Sequence, residues 1–541
     1  MLFIVFFIIT MLSILFARDL LVTINILHIQ LLHYCLLFIY SLIFHAIYNT
    51  LASRYRLEYI QYSVKSPSLS ICITMTAISH RPPSFNESAL VVGAITFGLM
   101  FGILALHLDV HILLICAVVF TMLMSWRCGY SLNQQIELIG ESLKNATGAM
   151  FAFILIGMII GVWILAGTIP ALIYYGLNFV SAQYFLPAGF LVCCAITYAT
   201  GTNWGAASTI GVALIGMGLS LGFPLPVIAG MIISGGVFGV NLSPVSDVTI
   251  LASATVGSQV QDHLKSLSLV GIPTVFIVTI IYYFMGNHYM GMETGGVSHV
   301  DQLQTTLTHI FNISPWVLLP IAITLGLTLL KVASQVALFA GVVVGGICAI
   351  LLQDQSLAQI FASLNYGYSH TSGDALLDKL LIRGGIQSMM WTFSLAFIAL
   401  GMGGLLQHVG FLHVLLKQIL PKIKSNLSLV ATTLATCVLG NMATSEVYIS
   451  MILNGSLYKE VYQERGFSPQ MLSRLLNEGA MTSGMLLPWT TAGAFMTATL
   501  GVSPLVYAPY AVYVWLVPLI TLLLVAIGKT ILKPESMQAA A

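Results

Sequence analysis

Charged side chains are scarce in this chain. Only 7% of its 541 residues are Asp, Glu, Lys or Arg, against roughly 25% in a typical soluble domain. That scarcity rules out a soluble globular protein. With a net charge of +1, there is also no basic surface of the kind nucleic acid requires. No Walker A run occurs, and no soluble domain of useful size is present, which argues against an ATP-driven pump. Zinc spacing is missing as well. Cys35, Cys72, Cys116, Cys128, Cys193, Cys194, Cys348 and Cys437 lie scattered, mostly in apolar runs, and Cys193 and Cys194 are adjacent rather than C-x-x-C. Such cysteines read as small buried hydrophobes. No enzyme chemistry and no cofactor is expected.

What the chain has instead is apolar residues, 58% of the total, with a mean hydropathy of +0.96. Its apolar runs are long and continuous, unlike the roughly ten-residue alternating segments of a barrel. The expected fold is all-α: a polytopic membrane protein of about 11–12 transmembrane helices, in two inverted repeats with broken or re-entrant helices.

Residues 1–74 form an atypical apolar N-terminal extension. Two readings are open: a signal anchor followed by one span, or a segment upstream of a start at Met75. Spans of a first transporter repeat, residues 85–285, are expected near 89–106, 110–125, 146–168, 186–201, 206–221, 224–238 and 267–285, with a short segment at 170–180. Residues 286–314 read as a polar loop. A second repeat, residues 315–532, has spans near 315–332, 334–353, 388–407, 425–440, 479–500 and 507–530, followed by a tail, residues 533–541. Residues 126–145 read as an amphipathic connector and 354–386 as a linker along the membrane surface. Arg81, Arg127, Lys144, Lys529 and Lys533 place the tails and the 126–145 connector on the cytoplasmic side.

One stretch looks out of place in such a chain. Gly239 to Thr249 contains Gly239, Ser243, Pro244 and Ser246 between apolar segments. Proline has no N–H to donate and glycine is entropically loose, so a broken helix is expected. In its middle sits Asp247, beside Ser246 and Thr249. A carboxylate at membrane depth costs about 3 kcal/mol on insertion scales and is tolerated where it faces a cavity. Asp247 is therefore the leading candidate for binding a cation or a proton.

The two halves echo one another. The run Ala199 to Thr209 resembles Gly440 to Glu446, with Asn203 paired to Asn441, and Ser243 to Thr249 resembles Leu487 to Gly493. Paired interrupted segments point to a transporter's midplane site. A helix break leaves unpaired N–H groups on one side and unpaired carbonyls on the other. Carbonyls with hydroxyls beside them suit Na⁺. The candidate cation- and proton-binding set is Asp247, Ser243, Ser246, Thr249, Thr202, Asn203, Glu446, Asn441, Thr444 and Thr490, with Glu478, Trp489 and Thr200 as secondary candidates. For each hydroxyl the competing explanation is a bond to the preceding helical turn. Asp109 reads as a cap in a tight hairpin, Asp262 and His263 as a membrane exit, and Lys331 as a snorkelling side chain.

At these motifs the chain resembles the NhaC-type Na⁺/H⁺ antiporter family of bacteria. The resembling stretches are Gly167 to Gly176, Ala199 to Ala207, Ser243 to Thr249, Arg383 to Thr392 and Leu487 to Ala494, and the likeness covers roughly residues 85–532. It implies two inverted repeats, an inner-membrane location and Na⁺ efflux in exchange for H⁺. Some relatives instead exchange malate for lactate. The family's acidic and basic residues after the glycine matched by Gly239 are here Val240 and Asn241. Its Ser-Asp-Thr-Thr-Asn run is here Ser246-Asp-Val-Thr-Ile250.

The expected function is secondary exchange of Na⁺ for H⁺, with Asp247 shared between cation and proton. The alternative is a Na⁺- or H⁺-coupled exchanger of organic acids or another small solute. A substrate carboxylate would require a positive partner, and no intramembrane arginine is evident in the sequence. A passive channel or scaffold is disfavoured by the paired breaks with acids. Expected partners are membrane lipid and small cations, with Na⁺ the only metal; a homo-oligomer stays open.

Overall fold

The computed structural model describes residues 80–532 apart from 180, 291–295 and 331. The 1–74 extension, the 533–541 tail and Lys331 lie outside the described residues.

The described residues are helical and contain no strand. The first helices are α1 (Phe85–Leu104), α2 (Val110–Arg127), α3 (Leu132–Leu165), α4 (Thr168–Phe179) and α5 (Ala182–Thr200). Next comes α6, with Asn203–Ala206, a π-turn at Ala207–Gly211 and Val212–Ser220, and then α7 (Leu225–Leu242), α8 (Asp247–Val256) and α9 (Val260–Met290). Two helices of the middle, α10 (Gly296–Ile310) and α11 (Leu319–Leu329), precede α12 (Ser334–Gln353), α13 (Leu357–Tyr366) and α14 (Ala375–Leu381). The second half continues with α15 (Ile386–Val409), α16 (Phe411–Lys417), α17 (Asn426–Thr444) and α18 (Val447–Glu464). It ends with α19 (Pro469–Leu476, a π-turn at Asn477–Met481, and Thr482–Gly484), α20 (Thr491–Leu500), α21 (Pro504–Tyr507) and α22 (Val512–Ala526).

Among these, 9 helices are long and apolar enough to cross a membrane, or 11 if each of two sharply bent pairs counts as one span. The chain is an all-α, multi-pass membrane protein. Peripheral spans such as α2 turn most of their surface outward, whereas α7 has 83% of its span inside the protein. Local signals mark three of the helix starts. Ser84 with Glu87, Ser131 with Gln134 and Ser356 with Gln359 are capping boxes, each pairing the reciprocal donors at a helix start.

Several expectations need correction. Most of the 126–145 connector, from Leu132 on, is the first part of α3, continuous with its span. Residues 286–314 are largely helix, the end of α9 and all of α10. Residues 479–500 are not one span: α19 ends at Gly484 and α20 starts at Thr491, and α18 was not foreseen. Gly239 lies inside continuous α7, and the break starts only at Ser243. A Cβ on Gly239 would collide with the Thr197 hydroxyl and with the Cys194 carbonyl of α5. The glycine thus serves close packing of α7 on α5, as small residues do between membrane helices.

The stretch 354–386 is no surface linker. Gly385 donates its N–H to the Gly157 carbonyl at 2.7 Å, in the middle of the α3 span, and a Cβ on Gly157 would lie 2.5 Å from the Gly385 carbonyl oxygen. The Arg383 guanidinium reaches the Thr499 carbonyl at 2.6 Å, capping the C-terminal end of α20. This loop therefore enters the protein and holds α3 against α20.

The repeat is in tighter register than the sequence alone suggested. The starts of α5 and α17, of α6 and α18, of α7 and α19, of α8 and α20, and of α9 and α21 are each separated by 244 residues. The helix breaks follow the same spacing. Gly201 and Ser445 both take left-handed φ, +72° and +62°, and Thr202 and Glu446 follow in matching extended conformations. In this register Asn203 matches Val447 and not Asn441, which instead matches Thr197. The two asparagines are thus not equivalent: the left-handed turns at Gly201 and Ser445, not the shared residue type, set the register.

Candidate functional site

The two repeats interlock at their breaks. Helix α8 of the first repeat packs on α18 of the second, and α20 of the second packs on the π-turn of α6 in the first. Between them lies a cavity of about 350 Å³.

Its position follows from local chemistry. Helix α5 ends at Gly201, whose left-handed φ suits glycine. A Cβ there would stand 3.0 Å from a Val245 methyl and 3.1 Å from the Ser246 nitrogen, so the break of α5 also seats the loop leading to α8. Unpaired carbonyls at the end of α5 and unpaired N–H groups at the start of α6 result. The 244-residue repeat builds the same arrangement at Ser445, where a non-glycine residue holds the left-handed turn.

Asp247 is the first residue of α8 and is exposed to the cavity. One carboxylate oxygen accepts the Val248 N–H at 2.8 Å, and the other accepts the Tyr448 hydroxyl at 2.7 Å. Glu446 enters the same cavity from the second repeat, and its Oε2 accepts the Thr491 hydroxyl at 2.6 Å. The repeat relates Asp247 to Thr491 and Glu446 to Thr202. Each repeat thus contributes one acid and one threonine at equivalent positions, with the acid and the hydroxyl exchanged. Trp204 and Tyr448 are a second related pair, and both line the cavity.

Of the sequence candidates, Asp247, Glu446, Thr202, Asn203 and Thr200 come together at this cavity. The others lie behind it. Ser243 Oγ accepts the Val245 N–H within the turn. Thr249 donates to the Val240 and Asn241 carbonyls, closing the end of α7. Thr490 caps α20 by accepting the Gly493 N–H. Asn441 ties α17 to α19 through the Ala480 carbonyl and Ser483. Thr444 donates to the Gly440 carbonyl, and Trp489 to the Met442 carbonyl. Ser246 is buried with its hydroxyl unpartnered.

Unpartnered buried polar atoms are rare enough to need a reason. Beside the first-repeat break there are three such side chains: Asn203 through Oδ1, Asn241 through both amide atoms, and Ser246 through its hydroxyl, all at most 2% exposed. Of the three, Asn203 lines the cavity, while Asn241 and Ser246 lie behind its lining. Asn241 was marked in the sequence only as a departure from the family pattern.

Tyr448, Trp204, Thr491, Thr328, Ser334 and Gln335 also line the cavity. Sequence reasoning missed Tyr448 and Trp204, although each follows its left-handed break residue, Ser445 or Gly201, by three positions. That shared spacing was the available signal.

Glu478 belongs to a second, separate cluster. Its Oε2 accepts the Thr521 hydroxyl at 2.7 Å, and Oε1 lies 3.6 Å from Arg474 Nε. Arg474 also reaches the Thr530 and Ser266 carbonyls. His263 binds Ser473 at 2.8 Å and is fully buried within the protein. Arg474 is likewise fully buried, which removes the premise that no arginine lies inside the bundle.

Residues 1–287 and 276–529 match the Na⁺/H⁺ antiporter family. The chain is 33% identical to the malate-2H⁺/Na⁺-lactate antiporter of Bacillus subtilis (strain 168), over 80% of this chain and 92% of that protein. It is 32% identical to the arginine/ornithine antiporter ArcD of Halobacterium salinarum (strain ATCC 700922 / JCM 11081 / NRC-1), over 80% and 89%. It is 30% identical to the Na⁺/H⁺ antiporter NhaC of Alkalihalophilus pseudofirmus (strain ATCC BAA-2126 / JCM 17055 / OF4), over 83% and 96%. With both halves of the fold and the acid-bearing breaks inside the matched region, the chain belongs to the Na⁺/H⁺ antiporter family.

Proposed function

We propose that this protein exchanges Na⁺ for H⁺ across a bacterial inner membrane, with Asp247 as the shared cation and proton carboxylate. The observation that carries this reading is the meeting of Asp247 and Glu446 in one cavity, each delivered by the helix break of a different repeat. A carboxylate that faces a cavity at a break can hold a cation or a proton, and competition between the two couples their fluxes. Helix breaks at the interface of two related halves are also where a transporter's site sits while the halves rock around it in alternating access. Thr200, Thr202 and Asn203 supply further oxygens, and the roomy cavity leaves space for water around the ion.

The relatives' names span three cargoes, an inorganic cation, organic acids and cationic amino acids, so cargo follows from the lining. Organic-acid exchange is the second reading. It is favoured by the malate/lactate relative and by the half-buried Arg383 and the buried Arg474, although neither arginine lines the cavity. Everted membrane vesicles with a preformed ΔpH separate the two. Na⁺ or Li⁺ should dissipate the gradient, and Asp247→Asn should abolish the response while the protein still reaches the membrane. Silence towards Na⁺, Li⁺ and K⁺, with a response to malate or lactate, would overturn the first reading.

A further inference from the structure

The cavity is larger and more apolar than a bare Na⁺ requires. Its volume of about 350 Å³ is within the range of small-molecule sites, roughly 300–1,000 Å³. The lining includes Asp247 and Glu446 together with Trp204, Leu325, Leu338, Met481 and Met485. Among the described residues lining the cavity, none is basic. Two carboxylates without a counter-charge call for positive cargo, and apolar and aromatic walls beside them suit a cation that carries carbon. Trp204 and Tyr448 supply rings that can attract an ammonium group. A cargo with its own carboxylate would face Asp247 and Glu446 with no described basic side chain to receive it.

Resting on the reading of Asp247 as a cation carboxylate, we propose that this cavity also binds a small organic ammonium ion without a carboxylate, in competition with the inorganic cation. The charged centre sits between Asp247 and Glu446, and the alkyl part lies against Leu338, Met481 and Met485.

Tetramethylammonium and methylguanidinium are suitable probes. Both stay cationic throughout the working pH range and so cannot collapse a proton gradient as weak bases. In everted vesicles bearing the full chain, tetramethylammonium should raise the half-saturating Na⁺ concentration without lowering the maximal rate. Narrowing the apolar wall with Leu338→Trp should weaken inhibition by tetramethylammonium about tenfold relative to the half-saturating Na⁺ concentration. Leu325→Trp serves the same end if the first variant fails to reach the membrane. Na⁺-driven exchange that neither probe inhibits would overturn the proposal and leave the exchange reading intact. Inhibition by malate or lactate, with none by the ammonium probes, would overturn it in favour of anionic cargo. If neither Na⁺ nor any probe acts, the exchange reading falls and the proposal falls with it.

Discussion

Asp247 of the first repeat accepts a 2.7 Å hydrogen bond from the hydroxyl of Tyr448 in the second. The bond spans the seam between the repeats and fixes one oxygen of the carboxylate that faces the cavity. A hydrogen bond to a charged group contributes about 1.5–3 kcal/mol. Tyr448→Phe should therefore cut the exchange rate roughly tenfold by releasing that carboxylate from its orientation, whereas Asp247→Asn should abolish exchange. Vesicle flux with matched expression measures both. A Tyr448→Phe protein as active as the unaltered one would show that the bond does not position Asp247.

Glu446 has a parallel arrangement through Thr491, whose hydroxyl donates at 2.6 Å. Thr491→Val should reduce exchange by about tenfold and Glu446→Gln by about a hundredfold, because the second removes the charge itself. If Glu446→Gln exchanges as well as the unaltered protein, the second acid takes no part in transport.

Asn241 is fully buried with both amide atoms unpartnered. If these atoms wait for a cation, Asn241→Ala should raise the half-saturating Na⁺ concentration by about three- to tenfold with little change in maximal rate. An unchanged half-saturation value in a stable Asn241→Ala protein would remove it from the cation shell.

The two left-handed turns respond oppositely to substitution. Ser445 holds φ at +62°, which costs a non-glycine residue about 1–2 kcal/mol. Ser445→Gly should be neutral or stabilising, raising the detergent melting temperature by a few degrees at most. Gly201→Ala should lower it, since the turn at +72° is already crowded by Val245 and Ser246. Equal effects of the two changes would contradict the shared geometry of the breaks.

Arg474 and Glu478 are both fully buried, 3.6 Å apart. Removing one partner leaves an uncompensated buried charge, at a cost of about 3–5 kcal/mol, while an apolar pair of similar volume is often neutral. Arg474→Met and Glu478→Leu should each lower thermal stability in detergent, and the double variant should recover most of the loss. A double variant as unstable as the singles would show that the cluster does more than pair two charges.

Sequence by itself determined the class of this protein, the neighbourhood of its first-repeat breaks and the carboxylate, Asp247, that lies at one of them. Membrane residence follows from composition, because only a chain this apolar has no need of water around its helices. The breaks follow from Gly201, Pro244 and Pro488, which bear directly on backbone geometry. Asp247 was legible because a carboxylate among apolar residues is costly wherever the chain folds. Tertiary structure decided what each hydroxyl does. Ser243, Thr249, Thr444 and Thr490 were equally good cation ligands on paper, but they satisfy backbone groups at helix ends. Tyr448 reaches Asp247 only because α8 packs across the seam onto α18. The 354–386 stretch reads as polar linker, yet its glycines allow backbone contact with α3 that hydropathy cannot register. Local chemistry fixes where a helix must stop, whereas the direction a polar side chain faces depends on which helix of the other repeat lies beside it.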